Sequence, residues 1–315
     1  MSVQDNAEYE KIVPQNVDFF NKLSVDQPAV SSELVKKIPK WIEDVDTFSG
    51  RDGLGKAIVS NLEYISSEET DEFVKSVTDE VKKIRRSNPS KEIMFIMWSK
   101  ESMSGKYFYD RVLDGLTEEE RNKVGVIIPP DVNDNAGGGD LPIYFHLDDA
   151  ANSGQQLMQS VNAMRALSDQ IERRTFLKEK IKNSLGLNKV DFRIRLMRVT
   201  DSVLDEIFNP NYGSVKYMDK SVNVDISGNS KANKKMKTMD DVFKLLGISE
   251  KDTQNSHYFL TSHHERRPAT LGIFRHKFQD NMPMVLVEGR VKPGFEPLFS
   301  REMMDKFVSP YPHGI

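Results

Sequence analysis

Residues 141–157 read LPIYFHLDDAANSGQQL, and the fold turns on how this stretch divides. Ile143 to Leu147 is an apolar run with the length and composition of a buried strand. It ends in two adjacent carboxylates, Asp148 and Asp149. Ala150, Ala151, Asn152 and Ser153 follow, then Gly154, then an amphipathic run expected to form a long helix with Leu157, Val161, Met164, Leu167 and Ile171 on one face. Strand, acidic pair, small-residue turn and helix start make an anion pocket, because successive backbone N–H groups and the positive end of the helix dipole converge. Gly154 allows the backbone to approach a phosphate closely, and the Ser153 hydroxyl adds a donor. The carboxylates suit hydroxyl groups or a hard cation such as Mg²⁺. An ordinary strand–turn–helix junction capped by Asp explains the same residues, but only one of two consecutive aspartates can cap.

Working outward, Ile93 to Trp98 (IMFIMW) and Val124 to Ile128 (VGVII) are further apolar runs and read as strands. Between them SKESMSGKYFYDRVL reads as a loop closing at Ser104, Gly105 and Lys106, then a helix. That loop is either a plain connection with surface lysines or an anion-holding loop with Lys100 or Lys106 as counter-charge. Pro129 to Asp140, PPDVNDNAGGGD, carries three Asp, three consecutive Gly and no basic residue, so it is expected to be mobile and acidic. Phe192 to Val199 (FRIRLMRV) alternates apolar and basic side chains, which predicts a strand with one solvated or ligand-facing side, a charged exposed face being favoured over an anion site at Arg193, Arg195 and Arg198. All four runs are expected in one largely parallel sheet with helices on both faces.

Before these strands the pattern is helical. Leu34, Val35, Ile38, Trp41 and Ile42 recur near the helical period, and Ser66 or Ser67 caps a helix faced by Phe73, Val74, Val77, Val81 and Ile84. Its KKIRR end reads as a solvated terminus sooner than as a polyanion patch. Residues 1–26 are read as a polar arm. Residues 212–237 are read as a turn-rich excursion, and Thr238 to Leu246 as a short helix with Gly247 as its C-cap. Tyr258 to Thr261 and Met284 to Val287 read as strands, with Leu271 to Phe274 and a polar turn between them, and the proline-bearing tail reads as a surface wrap.

Composition bounds the function. At 315 residues core size is not limiting, and the net charge of −4 argues against a mainly electrostatic nucleic-acid partner. With no cysteine, disulfides, thiolate catalysis and cysteine zinc sites are excluded. No apolar run is long enough to span a membrane and no signal-peptide core opens the chain, so a cytoplasmic protein is expected, with export lacking a cleavable signal left open.

The stretch at 143–156 resembles the phosphoribosyl-pyrophosphate (PRPP) loop of type I phosphoribosyltransferases, where an apolar strand leads into two acidic residues and a hydroxyl-rich turn around Gly. Asn152 and Gln156 stand where the commonest enzymes carry Thr or Ser. The closer resemblance is to the PRTase-CE branch assigned to biological-conflict systems, whose loop tends to read Gly-Ser-Gly-x-Gln. Trp41 to Ile65 and Asp280 to Val287 are loosely similar to the ends of that branch. The resemblance implies a Rossmann-like α/β fold with a mainly parallel sheet and an N-terminal helical region. It implies an arm at 1–30, helices at 31–90, the phosphoribosyltransferase-like domain at 91–290 and a tail at 291–315. It further implies Asp148 and Asp149 on the ribose and on Mg²⁺, and Asn152, Ser153, Gly154, Gln155 and Gln156 around the 5′-phosphate. Ser104, Gly105 and Lys106 would hold pyrophosphate, and 129–140 would be the closing hood. The implied ligand is PRPP or a related ribose 5-phosphate or nucleotide compound, with pyrophosphate released if the protein is a transferase. No general base stands out; His263 and His264 are the nearest by chemistry. A non-catalytic PRPP or nucleotide sensor, or a regulator with a protein partner, remains the second reading, favoured by the acidic hood. An acidic-site phosphohydrolase is the third. Both aspartates are expected to be dispensable for the core.

Overall fold

The computed structural model describes residues 15–97, 103–127, 142–151, 160–164, 166, 190–200, 222–225, 234–259, 269–275, 277–278, 282–288, 291 and 293–306. The chain forms two compact units, residues 71–235 and residues 1–70 with 236–315. In the latter unit, the C-terminal quarter of the chain shares a core with the first helices.

The unit of residues 71–235 is built on one parallel sheet. Its strands are β2 (Ile93–Ile96), β3 (Val124–Ile127), β4 (Ile143–Ala151), β5 (Val190–Val199) and β6 (Val222–Asp225), in the order β3-β2-β4-β5-β6. Every pairing among them is parallel. The four runs expected to share a sheet do so, and β6 adds an edge where the sequence suggested an excursion. A short β7 (Lys234–Lys235) pairs with the end of β5. The strand order reverses between β2 and β4, the place where a doubly wound sheet opens a crevice at its carboxyl edge.

Register fixes which side chains share a face. Phe145 lies beside Arg193 and Leu147 beside Arg195, while His146 lies beside Ile194 and Asp148 beside Leu196. On the Phe145 face, helix α4 (Ser67–Ser87) supplies Glu80, and helix α5 (Met103–Asp114) sets Tyr109 against Phe95. Phe73 of α4 meets Phe108 of α5 edge-on at 5.2 Å. On the other face, Ser160 of helical residues 160–164 reaches His146. Helices therefore meet both faces, and the architecture is mixed α/β.

The other unit has a three-stranded sheet, β1 (Glu63–Ile65), β8 (Gly272–Phe274) and β9 (Lys277–Phe278), with β1 parallel and β9 antiparallel to β8. Helices α1 (Val17–Asp26), α2 (Pro28–Ser49) and α3 (Leu54–Asn61) surround one apolar core that holds Phe20, Leu34, Trp41 and Leu298, each 2% exposed or less. Gly55 lets α3 approach α2 closely: a Cβ there would lie 2.8 Å from the Ile42 Cα. The amino end of α3 lacks its own cap, and the Asp46 carboxylate of α2 fills that role, accepting from the Gly53 and Gly55 N–H groups at 2.7 Å each. Thr238 caps helix α6 (Met239–Leu246), and Gly247 ends it at φ 64°, as its position in sequence suggested.

Several expectations are corrected here. Residues 17–26 are helical rather than part of an arm, since Phe19, Phe20 and Leu23 are buried. Met284–Val287 is a short helix after Pro283, and Ser256–Phe259 is a 3₁₀ turn, not strands. The tail is not a surface wrap: Phe295, Leu298, Phe299 and Met303 are buried, the last on helix Arg301–Lys306. Residues 129–140, 201–208, 261 and the pair His263 and His264 lie outside the described residues. No described helix is long and apolar enough to cross a membrane.

Candidate functional site at the carboxyl edge of the sheet

The acidic pair sits on β4, a strand that flanks the reversal point. The strand does not stop before the aspartates. It continues through Asp148 and Asp149 to Ala151, because β5 offers a partner all the way to Ala151 beside Val199. Both carboxylates are buried, with 7% of Asp148 and 1% of Asp149 exposed, so substitution there reaches packing as well as any ligand. Asp148 Oδ1 accepts from the Asp149 N–H at 2.9 Å. Consecutive strand residues point to opposite faces, so the two carboxylates do not converge on one cation. Among the described residues no group of three or more His, Asp or Glu side chains could hold a metal ion.

Asn152, Ser153, Gly154, Gln155 and Gln156 lie outside the described residues. Ser104, Gly105 and Lys106 do not form a loop. They lie in the first turn of α5, and Lys106 is ion-paired with Asp110 one turn on. The helix starts earlier than expected because Tyr107, Phe108 and Arg111 already engage one another and α4, Arg111 pairing with both Tyr107 and Asp71.

Two further groups of polar residues mark this sheet, the first unnoticed in the sequence and the second read there as a charged exposed face. His146 is 3% exposed, and burial alone pulls its imidazole down to about 4, so it is neutral at pH 7. Its Nδ1 lies 2.9 Å from the Ser160 hydroxyl, and its Nε2 has no hydrogen-bond partner among the described residues. Tyr144 shares that face, and burial, aided by the charge of Glu92, pushes its phenol up to about 12. The arginines of β5 form the second group. Arg195 and Arg198 are buried at 1% and 3% exposure, not on a solvated face. Glu80 accepts from Arg195 Nε at 2.8 Å and Nη2 at 2.6 Å, and from Arg193 Nη1 at 2.6 Å. The Phe145 ring lies 5.7 Å and 5.9 Å from the two guanidinium carbons. Only the alternation of β5 hinted at this cluster; Glu80 is 115 positions from Arg195. Arg85 of the KKIRR run is likewise buried, donating to the Pro89 and Lys91 carbonyls.

A cavity of about 780 Å³ opens at the opposite, amino end of β4 and β5, lined by Asp79, Glu80, Lys83, Asp191 and Arg193 among others. Its arginines are engaged by Glu80 and Asp191, and Lys83 and Lys91 also line it. Comparison of the chain with family models, with curated proteins and with solved structures gave no match.

Proposed function

We propose that residues 71–235 bind PRPP or a related ribose 5-phosphate compound, as its Mg²⁺ complex, at the carboxyl edge of β4, and transfer the phosphoribosyl group with release of pyrophosphate. The observation that supports this reading is the placement of Asp148 and Asp149 at the carboxyl end of β4, beside the reversal of strand order in a parallel α/β sheet compatible with a Rossmann-like fold. Both carboxylates lie just beyond the apolar run, and the sequence of residues 152–156 resembles that of a phosphate loop.

The donor set bears on the metal. Two carboxylates on opposite faces fit a Mg²⁺ that arrives with the diphosphate and keeps its waters, not a resident ion in an all-protein cage. The metal would neutralise the leaving pyrophosphate. One aspartate would accept from the ribose hydroxyls, and the turn would grip the 5′-phosphate, so the protein's part is positioning.

A second reading, binding without transfer, is favoured by the acidic composition of residues 129–140, which would repel a departing pyrophosphate. Pyrophosphate release from PRPP and Mg²⁺, measured alongside calorimetric binding, separates the two. Binding with release supports the transferase, and binding without release under any tested acceptor supports the sensor. No binding at millimolar ligand removes both.

A further inference from the structure

The cavity at the amino end of β4 and β5 is open to solvent, and described residues alone line it. Its volume of about 780 Å³ is ample for a small ligand. One wall is a single stripe of α4, where Ser76, Glu80, Lys83 and Ser87 recur at the helical period over about 16 Å. The rim beyond the helix is the turn of residues 88–91. Arg85 pins that turn by donating to the Pro89 and Lys91 carbonyls, and the Lys91 N–H closes it on the Asn88 carbonyl at 3.0 Å. A rim already fixed does not have to be ordered by its ligand.

Four cations and three carboxylates line the cavity. Glu80 accepts from Arg193 and Arg195, and Asp191 from Arg193, so two of each sign cancel within the wall. Lys83, Lys91 and Asp79 remain, and among the described residues none of the three is ion-paired. The remainder is one positive charge in a concave site, on a chain whose net charge is −4. The basic run of residues 82–86 divides accordingly. Arg85 holds the turn. Glu120, whose carboxyl is pulled down chiefly by the Thr117 N–H, also feels Lys82 and Arg86. Lys83 is the basic residue of the run that lines the cavity. The helix dipole accounts for a lysine near the end of α4 without any ligand. It does not account for Lys91, which lies past the helix, is half-buried and lines the same cavity.

The donor set narrows the ligand. The guanidinium forks, which suit planar carboxylates, are already filled by Glu80 and Asp191. What is left is two ammonium point charges with the Ser87 and Ser90 hydroxyls and the Asn88 amide, donors that suit a tetrahedral phosphate. We propose that this cavity binds a small phosphate monoester, with Lys83 and Lys91 on the phosphate and the body of the ligand along α4 toward Ser76. The site lies at the opposite edge of the sheet from Asp148 and Asp149 and does not rest on the phosphoribosyl reading.

The test is lysine footprinting of the full wild-type chain, by limited acetylation and mass spectrometry, with glucose 6-phosphate and glucose as probes. Glucose 6-phosphate should protect Lys83 and Lys91 in a saturable way and leave the exposed Lys56 of the other unit unchanged. Glucose should protect neither. In calorimetry, Lys83→Gln and Lys91→Gln combined should bind glucose 6-phosphate about tenfold more weakly or worse. Binding with neither lysine protected, and with equal affinity in the double variant, would put the phosphate elsewhere and overturn the inference. So would no binding at millimolar concentration, and neither result bears on PRPP at β4. Should the double variant not fold, the wild-type footprint decides.

Discussion

The two units bury different things. Among the described residues of the unit of residues 1–70 and 236–315, the buried polar side chains are Ser31, Ser49, Ser66, Thr70, Thr238, Thr253 and Thr270, all small hydroxyls. In residues 71–235, the buried set includes Arg85, His146, Asp148, Asp149, Arg195 and Arg198. A hydroxyl can satisfy itself on a nearby carbonyl, as Thr70 does on Ser66 at 2.9 Å. An ionised group must be matched by another or by a ligand, at a desolvation cost that packing alone would never select. Among the described residues, the buried charge that has to be matched lies in residues 71–235.

The comparison breaks most readily at Glu80. Removing its carboxylate strands Arg195, so Glu80→Ala should destabilise residues 71–235 by about 3–5 kcal/mol in urea unfolding. The paired change Glu80→Leu with Arg195→Met should recover much of that loss. If the single and double variants unfold alike, the cluster is not an energetic unit.

The next effect is a pH dependence in the same unit. The His146 imidazole is held at about 4 in the folded chain against 6.5 ordinarily, by burial. Above pH 6.5 neither state carries the proton. As pH falls toward 4 the unfolded chain takes it up and the folded chain does not, so stability falls by roughly 3 kcal/mol across that window and levels below it. His146→Leu should flatten this component of the acid limb; an unchanged slope would place the titration elsewhere.

In the other unit the sensitive points are steric and local. Gly55→Ala should cost about 1–3 kcal/mol because its Cβ meets the backbone of Ile42, which cannot swing away. Asp46→Ala should cost about 1 kcal/mol by uncapping α3. Thermal unfolding checks both, and a Gly55→Ala protein as stable as wild type would mean that α2 and α3 are not held at this separation.

The parallel sheet was legible because its strands are short apolar runs bounded by polar residues, a pattern that depends only on near neighbours. The Thr238 cap and the Gly247 stop were legible for the same reason. β5 was misjudged because alternating Arg reads as a wet face unless its cover is known, and the cover, Glu80, lies far away in sequence. His146 was hidden by its apolar neighbours, which made it look like one more core position. The tail was misjudged because its prolines suggest irregular chain, which says nothing about whether Phe295, Leu298 and Phe299 are buried. Asp148 and Asp149 were identified, but their burial depends on β5 pairing beyond them.

The central claim, that β4 ends in a phosphorylated-ribose site, is tested most directly by calorimetric titration of PRPP with Mg²⁺ into wild type, Asp148→Asn, Asp149→Asn and Asp191→Asn. Each protein is first shown to be folded by its thermal transition. Loss of a charge-assisted contact costs about 1.5–3 kcal/mol, so at least one of the β4 variants should bind roughly ten- to a hundredfold more weakly. Asp191→Asn, altered at the opposite end of β5, should bind like wild type. Equal affinity across all four proteins would contradict the assignment of the β4 carboxylates to the ligand.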